Sequence, residues 1–296
     1  MLFEEFCTRV TDEIEASLGE GYQISCMTVR KNNNCELKGL TIRRTAQMLS
    51  PTIYLDPFYS ALQGGVPFET VIERILGCYE AHKDAELDVS DFTEFDRMKG
   101  KIALKLINRE RNEELLMQVP HRIWNDLAIV YCCLFLNEPI GSGSILIRNE
   151  HMKLWNTDEE KLHRCALLNA PKLLPEELKT MEELLSEMMP EIELPRSDSP
   201  IRMYVLGNRE HVFGASALLY SEKLRELSGE LDSDLYVIPS SVHEVILIPA
   251  GCMMEPVEIQ KMIREVNESQ VEPDERLSDT LYFYSRDTGE VKTLGR

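Results

Sequence analysis

The chain has 296 residues, 43% hydrophobic and 28% charged, with 51 acids against 32 bases and a formal net charge of −19. That length suits roughly two domains of about 100–200 residues and a core that needs no disulfide or metal staple. The composition excludes a disordered or low-complexity chain, and the acidic field disfavours general nucleic-acid binding.

In chain order, Phe3, Phe6, Cys7, Val10 and Ile14 recur at helical spacing and predict an amphipathic first helix. The runs ISCMTVR and CELKGLTIR flank Asn32, Asn33 and Asn34, whose side chains tolerate the positive φ of a tight turn, so a hairpin is expected. TIYL at 52–55 adds a third strand that Asp56 and Pro57 end, and Phe68, Val71, Ile72, Ile75, Leu76 and Tyr79 predict a long helix to about His82. Ile102, Leu104 and Leu106 alternate in GKIALKLIN, which suits a half-buried strand. DLAIVYCCLFL reads as a buried strand, with SILIR after Gly141 and Gly143 as its hairpin partner. A short turn of structure begins over His151 to Trp155. Thr157 ahead of Asp158, Glu159 and Glu160 predicts an N-cap and a helix over about 158–169. Pro175 with Glu176 and Glu177 opens a further helix, with Leu178, Met181, Leu184, Leu185 and Met188 on one face.

PEIELPRSDSP, containing Pro190, Pro195 and Pro200, has the makeup of an exposed linker. The expected division is therefore an α+β region over 1–190, a linker over 191–200 and a domain over 201–296. From 203 to 293 the pattern runs strand, helix, strand, strand, helix, strand, which predicts a ferredoxin-like βαββαβ unit. Its helices are expected over Gly214–Glu230 and from 256 to about 268, and Asp287, Thr288 and Gly289 mark a terminal hairpin. The fold class is α+β, with mainly antiparallel sheets and helices.

The longest apolar runs, such as Leu127 to Leu136, fall short of the about 20 residues of a membrane-spanning helix. The start MLFEEFCTRV is acidic where a secretory signal is basic, so no membrane attachment and a cytoplasmic location are expected. The eight cysteines include no C-x-x-C pair and read as reduced core thiols. His163 and Cys165 are two apart and His243 and Glu244 adjacent, spacings that put no two ligands on one helical face, so no metal is expected. No glycine-rich phosphate loop is present and no cofactor is expected.

Ser240, Ser241, His243 and Glu244 are the candidate catalytic residues, since a nucleophile and base in one segment suggest hydrolysis. The proline and serines also suit a turn between strands, and no G-x-S-x-G turn accompanies them. Tyr204, Tyr220, Tyr236, Tyr282 and Tyr284 cluster in the C-terminal third and suit packing with the hydroxyl at the rim, or a contact surface. Arg30, Lys31, Lys38, Arg43 and Arg44 concentrate positive charge on the first hairpin, a candidate binding surface for an acidic protein segment and a weaker one for nucleic acid.

MYVLGN, GASALLY, DLYVIPSSVHEVILIP and LSDTLYFY, with LKGLTIRR, IYLDPFY, LWN and LHRCALLNAPKLLP earlier, span most of the chain. Together they resemble an uncharacterised bacterial family, a domain of unknown function marked by GASALLY and LPSS-HEVI types of phrase. The chain is more distantly similar to the YtpQ type of bacterial protein. The resemblance implies no activity, substrate or catalytic residue. The expectation is a soluble bacterial protein that acts as a non-catalytic binding or adaptor protein for a protein partner, the alternative being a hydrolase of unrecognised type using Ser240 or Ser241 with His243.

Overall fold

A computed structural model describes residues 1–44, 52–82, 92–138, 141–189, 202–252 and 254–294. Two compact units divide the chain: Met1–Ser90 with Phe135–Gly143, and Asp91–Leu134 with Ser144–Arg296. The expected linker at 191–200 lies outside the described residues. Among the described residues no helix is long and apolar enough to cross a membrane.

The first unit opens with α1 (Phe3–Leu18), whose stripe Phe6, Cys7, Val10 and Ile14 is buried as the spacing predicts. β1 (Tyr22–Arg30) and β2 (Glu36–Arg44) form the antiparallel hairpin, and β3 (Thr52–Tyr54) pairs with β2. Asn33 and Asn34 take φ of 59° and 55° in the turn, as amide side chains permit. Asp56 and Pro57 do end β3, but they also start α2 (Asp56–Gln63), where Pro is tolerated because early helical N–H groups lack partners. α3 (Phe68–His82) follows. Phe6, Val10, Ile14, Leu40, Ile42, Leu55, Val71 and Ile75 close one core, each fully buried side chain contributing about 1.5–3 kcal/mol.

β4 (Ile102–Asn108), β5 (His121–Trp124), β6 (Leu127–Glu138) and β7 (Gly141–Leu146) make an antiparallel sheet in which β6 pairs with all the others; the second unit takes β4, β5, β6 up to Leu134 and β7 from Ser144. The two residues between β5 and β6 are Asn125, at φ 55°, and Asp126. Past α4 (Asn149–Leu154), α5 (Glu159–Leu173) lies on β4 through Leu162, Ala166 and Ala170. Its cap is Asp158, which accepts from the Lys161 N–H at 2.8 Å, in place of the expected Thr157.

The helix expected from Pro175 is instead β8 (Glu176–Thr180) followed by α6 (Met181–Met188). β8 pairs along β9 (Tyr204–Asn208), and Thr180 then caps α6 by accepting from the Glu183 N–H at 3.2 Å. The helix expected over Gly214–Glu230 is a 3-10 turn over Gly214–Leu219 and a separate α7 (Lys223–Leu231). The break holds Tyr220, whose hydroxyl donates to the Leu174 carbonyl at 2.7 Å.

β10 (Leu235–Ile238), β11 (Val245–Pro249), α8 (Pro256–Gln270), β12 (Tyr282–Ser285) and β13 (Glu290–Thr293) complete a six-stranded antiparallel sheet in the order β13-β12-β10-β11-β9-β8. β10 is buried at every position because both faces are covered. Ile259 and Ile263 of α8 pack on Tyr236, Ile238 and Ile248, and the 3-10 turn lies by β9 and β4. From β9 to β12 the elements run βαββαβ with split crossovers: β11 separates the parallel β9 and β10, and β10 separates the parallel β11 and β12. A ferredoxin-like unit puts its first and third strands at the centre. Here the second and third hold it, because β8 occupies the outer edge of β9 and β12 pairs with β10.

Candidate functional site

Ser240 to Glu244 lie between β10 and β11. Their backbone is pinned to a later segment: Leu277 N–H donates to the Ser240 carbonyl and Val242 N–H to the Glu275 carbonyl, each at 2.9 Å. The Ser241 hydroxyl accepts from the His243 N–H at 3.0 Å. The His243 imidazole faces the His211 carbonyl through Nδ1 at 3.1 Å and the Glu275 carboxylate through Nε2 at 3.4 Å. Neither ring nitrogen is given to a serine hydroxyl, the contact on which nucleophile activation depends. Ser240 Oγ is buried without a partner among the described groups. The adjoining cavity, lined by Lys179, Asn208, His211, His243 and Glu244 among others, is about 60 Å³, well below the ~300 Å³ of the smallest usual ligand sites. Burial pushes the Glu244 carboxyl up, against opposing pulls from His243 and Ser241.

The segments GASALLY and PSSVHE meet here. His211 and Phe213 both stand at φ 52°, a left-handed conformation that costs an L-residue roughly 1–2 kcal/mol. Asn208 supports that bend, donating to the Val212 carbonyl at 2.7 Å. The bend drives Gly214 against the neighbouring chain: a Cβ there would lie 2.0 Å from the His243 carbonyl oxygen and 2.9 Å from Gly207 Cα. GASALLY and PSSVHE are thus two halves of one backbone contact.

The basic hairpin residues are each engaged within the first unit. Arg30 pairs with Glu36 at 3.6 Å, Lys38 with Glu4 at 3.0 Å, and Lys31 lies 4.0 Å over the Tyr54 ring. Arg43 bonds Gln23, and Arg44 interacts with Tyr79. Period-two alternation puts Lys38 and Arg44 on the side of buried Leu40 and Ile42, with Arg30 opposite Glu36 on that same side, and Arg43 on the other.

Two polar clusters escaped the sequence reading. Tyr131, buried on β6, donates to Glu159, whose carboxylate also accepts from Arg122 at 2.7 Å, while His163 Nδ1 lies 3.1 Å from the same phenol. Burial would raise Glu159, but Arg122 and Tyr131 outweigh it and hold the carboxyl below its usual range. In the second cluster, Asp126 accepts from Ser278 at 2.7 Å, Thr280 at 2.9 Å and Tyr282. Burial, with the Asp126 charge beside it, raises the Tyr282 phenol and keeps it a donor. The signal that was present is the two-residue Asn-Asp turn after HRIW. Among the described residues no three His, Cys, Asp or Glu are grouped to hold a metal ion.

Beyond this turn opens a groove of about 700 Å³, lined by Ile123, Trp124 and Asn125, by Leu218 to Glu222 with Leu224 and Arg225, and by Tyr284 and Gly289 to Lys292. That volume is within the ~300–1,000 Å³ usual for binding sites. Trp124 stands edge-on to Tyr282, with ring centroids 5.8 Å apart, and Ile123 is 47% exposed. The rim charges are paired: Arg225 with Glu222 at 3.1 Å, and Lys292 with Glu290 at 2.6 Å. A second cavity of about 440 Å³ shares Asn125 and is lined by Asn108, Arg109, Glu110, Glu113, Asp126 and Thr293.

Fold and site together define an α+β protein with an open groove beside the end strand of an antiparallel sheet. The chain belongs to the family of unknown function DUF5688, whose model matches residues 3–286. No curated protein and no solved structure matches it.

Proposed function

We propose that this protein is a non-catalytic binding protein that receives a polypeptide segment of a protein partner in the groove between Ile123 and Val291. The observation that carries this reading is the groove's lining: Trp124 and Tyr220, both partly exposed, offer rigid aromatic surface beside exposed Ile123, and the rim charges are already paired and so leave no unmatched charge to desolvate. The hydrolase alternative has less support, since the His243 ring nitrogens face His211 and Glu275. A cytoplasmic setting accords with the eight free thiols.

The test is selection of a displayed random peptide library on the full chain, followed by titration of the enriched peptides against Trp fluorescence. Ile123→Asp adds a charge at an exposed rim position and leaves the core alone; it should weaken binding about tenfold, the effect of roughly 1.4 kcal/mol. Failure to enrich any peptide, or equal binding to Ile123→Asp, would refute the proposal.

A further inference from the structure

Residues of β13 line both cavities, Glu290 to Lys292 the larger and Thr293 the smaller, and the strand's hydrogen-bonding pattern says what could lie along its outer edge. Leu294 N–H donates to the Leu281 carbonyl at 2.8 Å. In an antiparallel ladder bonded pairs alternate, so Lys292 and Glu290 face β12 while the amides of Val291 and Thr293 point outward. An independent contact agrees: Asn125 Nδ2 donates to the outward Val291 carbonyl at 3.3 Å. Among the described residues no strand pairs with that edge. Three outward backbone groups are left for an added chain: the Val291 N–H, the Thr293 N–H and the Thr293 carbonyl.

The side chains beside them sort the occupant. Val291 lines the groove with Trp124 and Tyr284, which suits an apolar side chain. Thr293 lines the neighbouring cavity, where Glu110, Glu113 and Asp126 outnumber Arg109, which suits a cation. The two sites lie two residues apart on one face of β13, the spacing at which an extended chain presents alternate side chains.

We propose that the bound segment adds to β13 as an antiparallel strand and carries a basic residue two positions before an apolar one. This deepens the binding reading above and rests on it. The antiparallel sense follows the rest of the sheet and sets the basic residue first, opposite Thr293. There the peptide exchanges both backbone bonds with Thr293. The apolar residue accepts from the Val291 N–H, while Asn125 already serves the Val291 carbonyl. Affinity comes from the backbone bonds and selectivity from the two cavities.

The probe is a synthetic peptide taken from the library selection, with each backbone N–H methylated in turn. Methylation at the basic residue should weaken binding about tenfold or more, since one backbone bond is lost and the edge is crowded. Methylation at the residue between the basic and apolar positions should change it less than about twofold, because that N–H faces away from β13. The joint variant Glu110→Lys, Glu113→Lys should lose the preference for the basic residue over glutamine while binding the glutamine peptide as before. A flat methylation scan on a peptide that Ile123→Asp still weakens would overturn strand addition and leave groove binding standing. If no peptide is enriched at all, the binding reading fails and this one with it.

Discussion

Replacing Gly214 with alanine tests the central contact of the six-stranded sheet. The added carbon would lie 2.0 Å from the His243 carbonyl oxygen, whereas carbon and carbonyl oxygen approach no closer than about 3.3 Å, so the two backbones must part by more than about 1 Å. The same carbon would also lie 2.9 Å from Gly207 Cα and 3.1 Å from Asn208 N, two further backbone atoms. Separation would also break the Ala215 N–H bond to the Val242 carbonyl, 3.3 Å long. Ordinary overpacking costs about 1–3 kcal/mol, and a clash with three backbone atoms belongs at the upper end, about 3 kcal/mol. At roughly 2–4 °C per kcal/mol for a body of this size, Tm should fall by about 6–12 °C. Gly229, in α7 with nothing within 4 Å of its virtual Cβ, is the control, and its alanine variant should gain up to about 1 kcal/mol. Urea and thermal unfolding followed by circular dichroism would measure both. A Gly214→Ala protein within about 0.5 kcal/mol of the parent would refute the close approach.

Glu244 predicts a pH effect of definite sign. Burial raises its folded-state pKa above the unfolded value, with His243 and His211 favouring the charged form and Glu275 opposing it, so the folded chain holds the proton more tightly and stability falls as pH rises through that window. Glu244→Gln should therefore be more stable than the parent at pH 7 and lose that advantage near pH 4; an equal difference at both would contradict it. Asp126→Ala leaves the hydroxyls of Ser278, Thr280 and Tyr282 without their acceptor, and urea unfolding should show a loss of about 3 kcal/mol against about 1 kcal/mol for Tyr282→Phe. Burial pushes the Cys7, Cys132 and Cys133 thiols up to about 12. Brief iodoacetamide treatment read by mass spectrometry should label exposed Cys78 and spare those three until the chain unfolds. Native labelling of Cys132 would show that β6 is less enclosed than described.

Local periodicity made much of the fold legible. The Phe6, Val10 and Ile14 stripe marks α1, the asparagines mark the first turn, and the apolar run to Leu136 marks β6, because each signal is complete within one element. Where the partner is remote, the local signal misled. Pro175, Glu176 and Glu177 carry the chemistry of a helix start, yet β9 supplies backbone partners to β8 and only Thr180 begins the helix. The serines, His243 and Glu244 were visible as residues, but their hydrogen bonds to one another, to the His211 carbonyl and to the segment after Glu272 were not.

By itself the sequence determined the α+β class, the acidic character and the position of most strands and helices, since these follow from side-chain period and charge along a short stretch. Tertiary structure alone decided the strand order, the enforced glycine at 214 and the groove, whose walls come from β5, from the segment around Tyr220 and from β13. Those three segments are far apart in the chain, and no local pattern states which sheet edge will lie beside which turn. That outcome rests on which remote backbone groups find partners and which, like those of Val291 and Thr293, are left facing outward.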